Sequence, residues 1–212
     1  MKVFILDFDG TITTEDTTDL ILEMPGDDQI WRIEEEWKRG RIPSYRCMKE
    51  QAKFLKGITI EEVRQHLKQN SRTDPNFPRL VDFLKTENLA PVILSEGYDI
   101  SVEFHGVQKH IEEIYCSKLV TENGILTGDL EVLNERTWNY NEKCLGCCIC
   151  KVDFLCQLSR EFGVTRSYAV GDGESDGCLF QYVDVSFSLN PKYEATYQVR
   201  DLYGVLKIME DL

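Results

Sequence analysis

The apolar run Val3-Phe4-Ile5-Leu6 breaks into Asp7-Phe8-Asp9-Gly10-Thr11, and this junction constrains the fold more than any other feature of the chain. The run reads as a short strand buried on both faces, as in a parallel sheet. Carboxylates two positions apart on a strand point the same way. Here they sit at the strand's carboxyl end, the edge of an open α/β sheet where ligands bind. Three later groups occupy similar settings. Ser95-Glu96-Gly97 ends the strand-like run 91–95. Lys151 opens the amphipathic stretch 151–162, which Gly163 stops. Gly171-Asp172-Gly173-Glu174-Ser175-Asp176 follows the run 166–170.

The remaining elements follow from periodicity and turn residues. Residues from about 15 to 85 carry apolar side chains at helical spacing among Glu, Lys, Arg and Gln, punctuated by Gly40, Pro43, Gly57, Pro75 and Pro78. This reads as a helical insertion (15–85) in a core formed by 1–14 and 86–212. A helix over 98–107, a strand over 113–119, a hairpin over 119–133, a strand over 183–188 and a partly helical tail from 192 complete the pattern. Strands alternating with helices predict an α/β fold, a Rossmann-like three-layer parallel sheet.

The chemistry these groups suit is phosphoryl transfer. A carboxylate that attacks an anionic phosphorus needs its charge offset by a cation held on other carboxylates and by a lysine such as Lys151. The hydroxyl and backbone N–H groups at Ser95 to Gly97 suit phosphate oxygens. A second acid, Asp9, is placed to protonate the leaving oxygen and later to deprotonate water.

Composition narrows the partners. A net charge of −13 over 212 residues, without a Lys/Arg stripe, argues against nucleic acid. It does not argue against a small phosphorylated metabolite. No apolar run approaches the roughly 20 residues of a membrane span. The N-terminus reaches Asp7 too early for a signal peptide, so a cytoplasmic location is expected.

The ordered set Asp-x-Asp-Gly-Thr, Ser, Lys, Gly-Asp-Gly-x-x-Asp resembles the haloacid dehalogenase superfamily over the whole chain. The resemblance implies Asp7 as nucleophile and Asp9 as general acid/base. It implies Mg2+ held by Asp7, Asp9 through its carbonyl, Asp172 and Asp176, with Thr11, Ser95, Gly97 and Lys151 on the phosphate. The long interval between Asp7 and Ser95 and the short one between Ser95 and Lys151 look like the phosphoserine phosphatase branch, with a C1-type helical cap. In that branch a cap glutamate stands where this chain has Asp16, and a cap arginine aligns with Gln51, with Arg46 and Lys49 nearby. These departures, with Trp37, Gly40 and Ser95-Glu96-Gly97-Tyr98, look closer to the 2-hydroxy-3-keto-5-methylthiopentenyl-1-phosphate phosphatases and their relatives acting on phosphoethanolamine and phosphocholine. Asp16, Arg46 and Gln51 are therefore the expected substrate-reading cap residues. Phosphoserine phosphatase is the alternative, and phosphomutase a further one.

Cys144-Leu145-Gly146-Cys147-Cys148-Ile149-Cys150 contains two overlapping Cys-x-x-Cys spacings. A structural zinc or a redox role is conceivable on that spacing, which gives a rival class: a non-catalytic metal or redox protein. The absence of a second close pair favours ordinary thiols. His66, His105 and His110 read as structural or solvated groups, and the acids Glu174 and Asp184 as solvated ones. Trp31, Trp37 and Tyr45 read mainly as packing between insertion and core.

Overall fold

The structure is a computed structural model, and residues 1–133 and 146–212 are described. Strand β1 (Lys2–Leu6) pairs in parallel with β2 (Leu89–Tyr98) on one side and β5 (Arg166–Gly171) on the other. Outward from β2 lie β3 (Ile114–Glu122), parallel, and β4 (Ile125–Glu131), antiparallel; outward from β5 lie β6 (Val185–Ser188) and β7 (Tyr197–Gln198), both parallel. The order is β4-β3-β2-β1-β5-β6-β7. Chain order reverses on either side of β1, which places the crevice of the sheet at the end of β1, beyond Leu6.

Alternation along β1 sends Phe4 and Leu6 to one face and Val3 and Ile5 to the other. The first face packs on α5 (Phe77–Thr86), α6 (Asp99–His105) and α9 (Leu202–Glu210) through Leu80, Val81, Leu84, Val102, Val205 and Leu206. The second packs on α7 (Lys151–Phe162) and α8 (Glu174–Phe180) through Leu155, Leu179 and Phe180. These are the three layers expected from the sequence.

The insertion is built of α1 (Thr17–Glu23), α2 (Gln29–Lys38), α3 (Ser44–Ala52) and α4 (Ile60–Asn70). Its apolar faces, with Ile21, Ile30, Leu55, Val63 and Leu67, cover Leu119, Leu126 and Leu130 of the β3–β4 hairpin. Backbone bonds add to this seat: Gly57 N–H reaches Leu126 O at 2.9 Å and Leu126 N–H reaches Ile58 O at 2.8 Å. The two connections to the core are paired, Thr14 N–H donating to Arg72 O at 3.0 Å. Helix α5, inside the expected 15–85 span, packs on the sheet rather than among the insertion helices, because its Leu80-Val81-Leu84 stripe fits the face carrying Phe4 and Leu6.

Three local readings differ from the structure. β2 continues through Ser95 to Tyr98, with a register shift against β3 between Leu94 and Tyr98. The tail adds the two-residue strand β7 before α9. Asp184 is not merely solvated: it accepts Ser167 N–H at 2.7 Å and Ser167 O–H at 2.9 Å, holding β5 to the start of β6. Among the described residues no helix is long and apolar enough to cross a membrane.

Candidate active site

The chain leaves β1 through a tight turn. Phe8 buries its ring in the core, and its carbonyl accepts Ile12 N–H at 2.9 Å and Thr13 N–H at 3.0 Å. Gly10 makes this turn possible with φ +65°, and a Cβ there would lie 2.5 Å from Asp172 Oδ2. With Phe8 pinned inward, Asp7 and Asp9 project into one cleft of about 240 Å3. Ser95, Gly97, Asp172 and Asp176 line the same cleft.

Asp7 sits at its floor, 8% exposed. Lys151, 3% exposed at the first turn of α7, donates to Asp7 Oδ1 and to Asp176 Oδ1, each at 2.6 Å. Burial works to lower the lysine's pKa, but the two carboxylates outweigh it and hold it above its usual range. The carboxylates shift the other way. Burial first, then the charge of Asp176, raise Asp7 well above the ordinary carboxylate range against the pull of Lys151. Burial and the same neighbour raise Asp172 to about 6. Both partners of the Asp7–Lys151 pair shift upward, Asp7 first through burial and then through crowding by Asp176 and Asp172, Lys151 through its two carboxylate partners; three carboxylates thus share one lysine.

That excess points to a cation. Asp7, Asp172 and Asp176 each offer an oxygen, all within 4.8 Å of one another. An all-oxygen set of this kind fits a hard divalent ion such as Mg2+.

Asp9 has a different setting. Its Oδ1 accepts the N–H of Thr17 at 2.9 Å and the Thr17 hydroxyl, and its Oδ2 accepts Thr18 Oγ1–H at 3.3 Å and Ser95 Oγ–H at 3.4 Å. Burial and the charge of Asp16 raise it to about 7, opposed by the Thr17 and Thr18 bonds. Such a carboxyl is poised to give and take a proton near neutrality.

Gly97 N–H donates to Ser95 Oγ at 2.9 Å within the last residues of β2, fixing that hydroxyl. A Cβ on Gly97 would overlap the Asp9 carboxylate and crowd Thr18 Oγ1. Gly97→Ala is expected to cut turnover by on the order of a hundredfold, because it displaces the Asp9 carboxyl. The melting temperature should stay close to wild type. A thermal melt beside steady-state kinetics checks this, and near-normal kcat would remove Gly97 from the site.

The other expected residues fall out unevenly. Thr11 is buried and donates to Asp172 Oδ1 at 3.4 Å, bracing that carboxylate. Asp16 lies at the cleft mouth, where its side chain caps α1 by accepting Asp19 N–H at 2.9 Å; partial enclosure raises its pKa. Gln51 lines the cleft and donates to Ile30 O at 3.3 Å. Arg46 does not join them. Helix α3 turns Ser44, Cys47, Met48 and Gln51 to the cleft, an i, i+3, i+4, i+7 face, and Arg46 falls off that stripe into solvent.

Sequence reading missed several wall residues. Asp19 of α1 and Glu34 and Trp37 of α2 line the cleft, as do Leu22 and Met48. Burial and the charge of Asp16 push Asp19 up to about 7. The i, i+3 spacing of Glu34 and Trp37 was the available signal. Thr17 and Thr18 had none, because a partner for Asp9 eight residues on is a tertiary fact. Glu174, expected to be solvated, also borders the cleft and pairs with Lys192 at 3.2 Å. His105 is structural: its ring nitrogens meet Ser71 Oγ at 3.0 Å and Thr73 Oγ1 at 2.9 Å. The Cys-x-x-Cys reading falls partly outside the described residues, since Cys144 is not among them. Among the described residues Cys147, Cys148 and Cys150 form no disulfide, and Cys148 Sγ lies 3.4 Å from Met48 Sδ. Among the described residues only the carboxylate group forms a metal-type cluster.

A mostly parallel α/β sheet with two aspartates at the end of its first strand, a lysine that bridges the first of them to Asp176 and a helical insertion beside the cleft defines a hydrolase-type site. The haloacid dehalogenase-like hydrolase family model matches residues 4–181, and the chain belongs to that family. The phosphoserine phosphatase of Methanocaldococcus jannaschii is 24% identical over 99% of this chain and 98% of its own length. That of Saccharomyces cerevisiae is 26% identical over 82% of this chain and 54% of its own. A solved phospho-aspartyl intermediate analogue of phosphoserine phosphatase superposes with TM-score 0.75 at 24% identity, covering 98% of both chains. A HAD family hydrolase of Salmonella enterica gives 0.74 at 17% identity, covering 100% of this chain and 72% of that one. These relatives make the chain phosphoserine phosphatase-like; they lend no particular support to the methionine-salvage group.

Proposed function

We propose that this chain is a Mg2+-dependent phosphomonoesterase, with Asp7 as nucleophile and Asp9 as general acid/base. The observation that carries the reading is the convergence of Asp7, Asp9, Ser95, Lys151, Asp172 and Asp176 at the switch point of the sheet. Asp7, the Asp9 carbonyl, Asp172 and Asp176 would hold Mg2+, which when bound offsets the negative charge of phosphate and nucleophile. Lys151 keeps the Asp7 carboxylate oriented and adds a fixed positive charge. Asp7 attacks phosphorus while Asp9 gives a proton to the departing alkoxide, leaving an acyl phosphate on Asp7. Asp9 then takes a proton from water, which attacks phosphorus and frees Asp7 and inorganic phosphate. Thr11, the Ser95 hydroxyl, the Gly97 N–H and Lys151 hold the phosphate oxygens, and the insertion limits entry of bulk water.

The leaving group we propose is a small alcohol, neutral or cationic at its far end, such as an amino alcohol; the ester of the methionine-salvage pathway is another candidate. The wall above Asp9 carries Asp16, Asp19, Glu34 and Trp37, and apart from Lys151 at the floor no arginine or lysine of the described residues lines the cleft. Acids and an indole face suit ammonium, whereas a carboxylate there lacks a partner. Phosphoserine is the second reading, supported by the relatives' activity.

A panel of phosphomonoesters assayed for phosphate release with Mg2+ separates these. Phosphoethanolamine or phosphocholine should exceed phosphoserine at least tenfold in kcat/KM, about 1.4 kcal/mol in transition-state binding. EDTA should stop the reaction and added Mg2+ restore it. A tenfold preference for phosphoserine would overturn the cleft-wall reading. Phosphate transfer to a second sugar with little free phosphate would indicate a phosphomutase.

A further inference from the structure

Glu96 follows Ser95 near the end of β2 and lines the same cleft, and its carboxylate is engaged by two other segments. Oε2 accepts Ser44 Oγ–H from the first residue of α3 at 2.9 Å and Cys148 N–H at 2.9 Å. Its own backbone is held as well, Ser117 Oγ–H donating to Glu96 O at 2.7 Å. Tyr45 N–H, in the first turn of α3, donates to Gly146 O at 2.8 Å, so helix and loop also meet directly. Three segments therefore converge on one oxygen: the strand end bearing Ser95 and Gly97, the helix whose face supplies Cys47, Met48 and Gln51 to the cleft, and the loop that enters α7 at Lys151.

The local physics explains why an acid stands there. Helix α3 begins after Pro43, which has no capping side chain and makes no cap bond. The first N–H groups of a helix need partners, and negative charge near them is favourable. The Glu96 carboxylate brings that charge from another element. Cys148 N–H, in an irregular loop beside buried Cys148 and Ile149, likewise needs an acceptor. The acid also has a cost: it adds negative charge to a cleft already carrying Asp9, Asp16, Asp19 and Glu34. An anchor for packing alone could be neutral.

We infer that Glu96 is a positioning residue, which locks the leaving-group wall of α3 and the loop presenting Lys151 to the phosphate-holding turn, so that the two halves of the cleft are set as one unit. This rests on the proposed phosphatase reading for its catalytic consequence, but not for its geometry.

The test uses Glu96→Ala, Glu96→Gln, Ser44→Ala and the Glu96→Ala/Ser44→Ala pair. Without substrate, amide hydrogen exchange at Cys148 should speed up about tenfold in Glu96→Ala, the loss of one hydrogen bond, and stay near wild type in Ser44→Ala. With the best ester of the panel, Glu96→Ala should lower kcat/KM by about tenfold or more. Glu96→Gln should recover to within about threefold, because an amide oxygen can accept both donors. Ser44→Ala should cost less than Glu96→Ala, and the pair no more than Glu96→Ala alone, since that hydroxyl acts through Glu96. Unchanged Cys148 exchange in Glu96→Ala overturns the clasp. So does a Gln variant as poor as Ala, or additive losses in the pair. If Glu96→Ala does not fold, the Gln and Ser44 variants decide the matter by the same kinetic criteria. Absence of phosphate release by the unsubstituted protein would instead sink the phosphatase reading, and the exchange result would still judge the clasp.

Discussion

Asn in place of Asp7 is expected to abolish phosphate release, with kcat falling by on the order of 10⁴ or more, because an amide cannot form the acyl phosphate. The fold should survive. Asp7 is buried beside Asp176 and Asp172, and its pKa lies well above the ordinary range, so its ionised form is disfavoured where it stands. A folded-state pKa above the unfolded value means that the native protein holds this proton more tightly. Native stability from this group is therefore present at low pH and is lost as pH rises from the ordinary carboxylate range through the raised value. Asn removes that penalty and keeps an oxygen for Lys151. The melting temperature of Asp7→Asn in metal-free buffer at neutral pH should match or exceed that of the unsubstituted chain. Phosphate release within tenfold of normal would show that another group attacks phosphorus.

Lys151→Met should damage both folding and turnover. The ammonium bridges Asp7 and Asp176 at 2.6 Å, and its side chain is 1% exposed. Removing one member of a buried charge network leaves the others uncompensated, at about 3–5 kcal/mol. For a chain of this size that corresponds to a fall of roughly 10 °C in melting temperature. Part of the loss should return with millimolar Mg2+, which binds the folded state and can take up the stranded carboxylate charge. It should also shrink at low pH, where those carboxylates protonate. Turnover with saturating Mg2+ should still be lower by about a hundredfold or more, since the fixed charge beside the nucleophile is gone. A variant that melts like wild type without metal would mean that the lysine does not hold the buried acids.

The convergence of the candidate site was legible because its parts are local. Asp7 and Asp9 share a strand end, Ser95 lies in the last part of β2, Asp172 directly follows β5, and a parallel sheet brings its carboxyl ends to one edge. Order in the chain then stands for position in space. The acceptor pattern around Asp9 was not legible, since Thr17 and Thr18 reach it only after the chain has turned at Gly10 and entered α1. The cap is harder still. Arg46 and Gln51 lie on one helix, five residues apart, and only the rotation of α3 on the core decides that Gln51 faces the cleft while Arg46 faces water. Glu96 reads in sequence as part of a phosphate-binding turn, yet its carboxylate serves Ser44 and Cys148, both 52 positions away.

What the sequence determined by itself is the sheet, its crevice and the acids and lysine that meet there, because strand burial, alternation and the carboxyl-edge rule act over a few residues at a time. What only the tertiary structure decided is the wall that faces the leaving group, with Asp19, Glu34 and Trp37 in and Arg46 out, and the tie through Glu96. Those depend on how helices of the insertion rotate and seat on the β3–β4 hairpin, a packing choice made by apolar faces from distant segments, which no local pattern encodes.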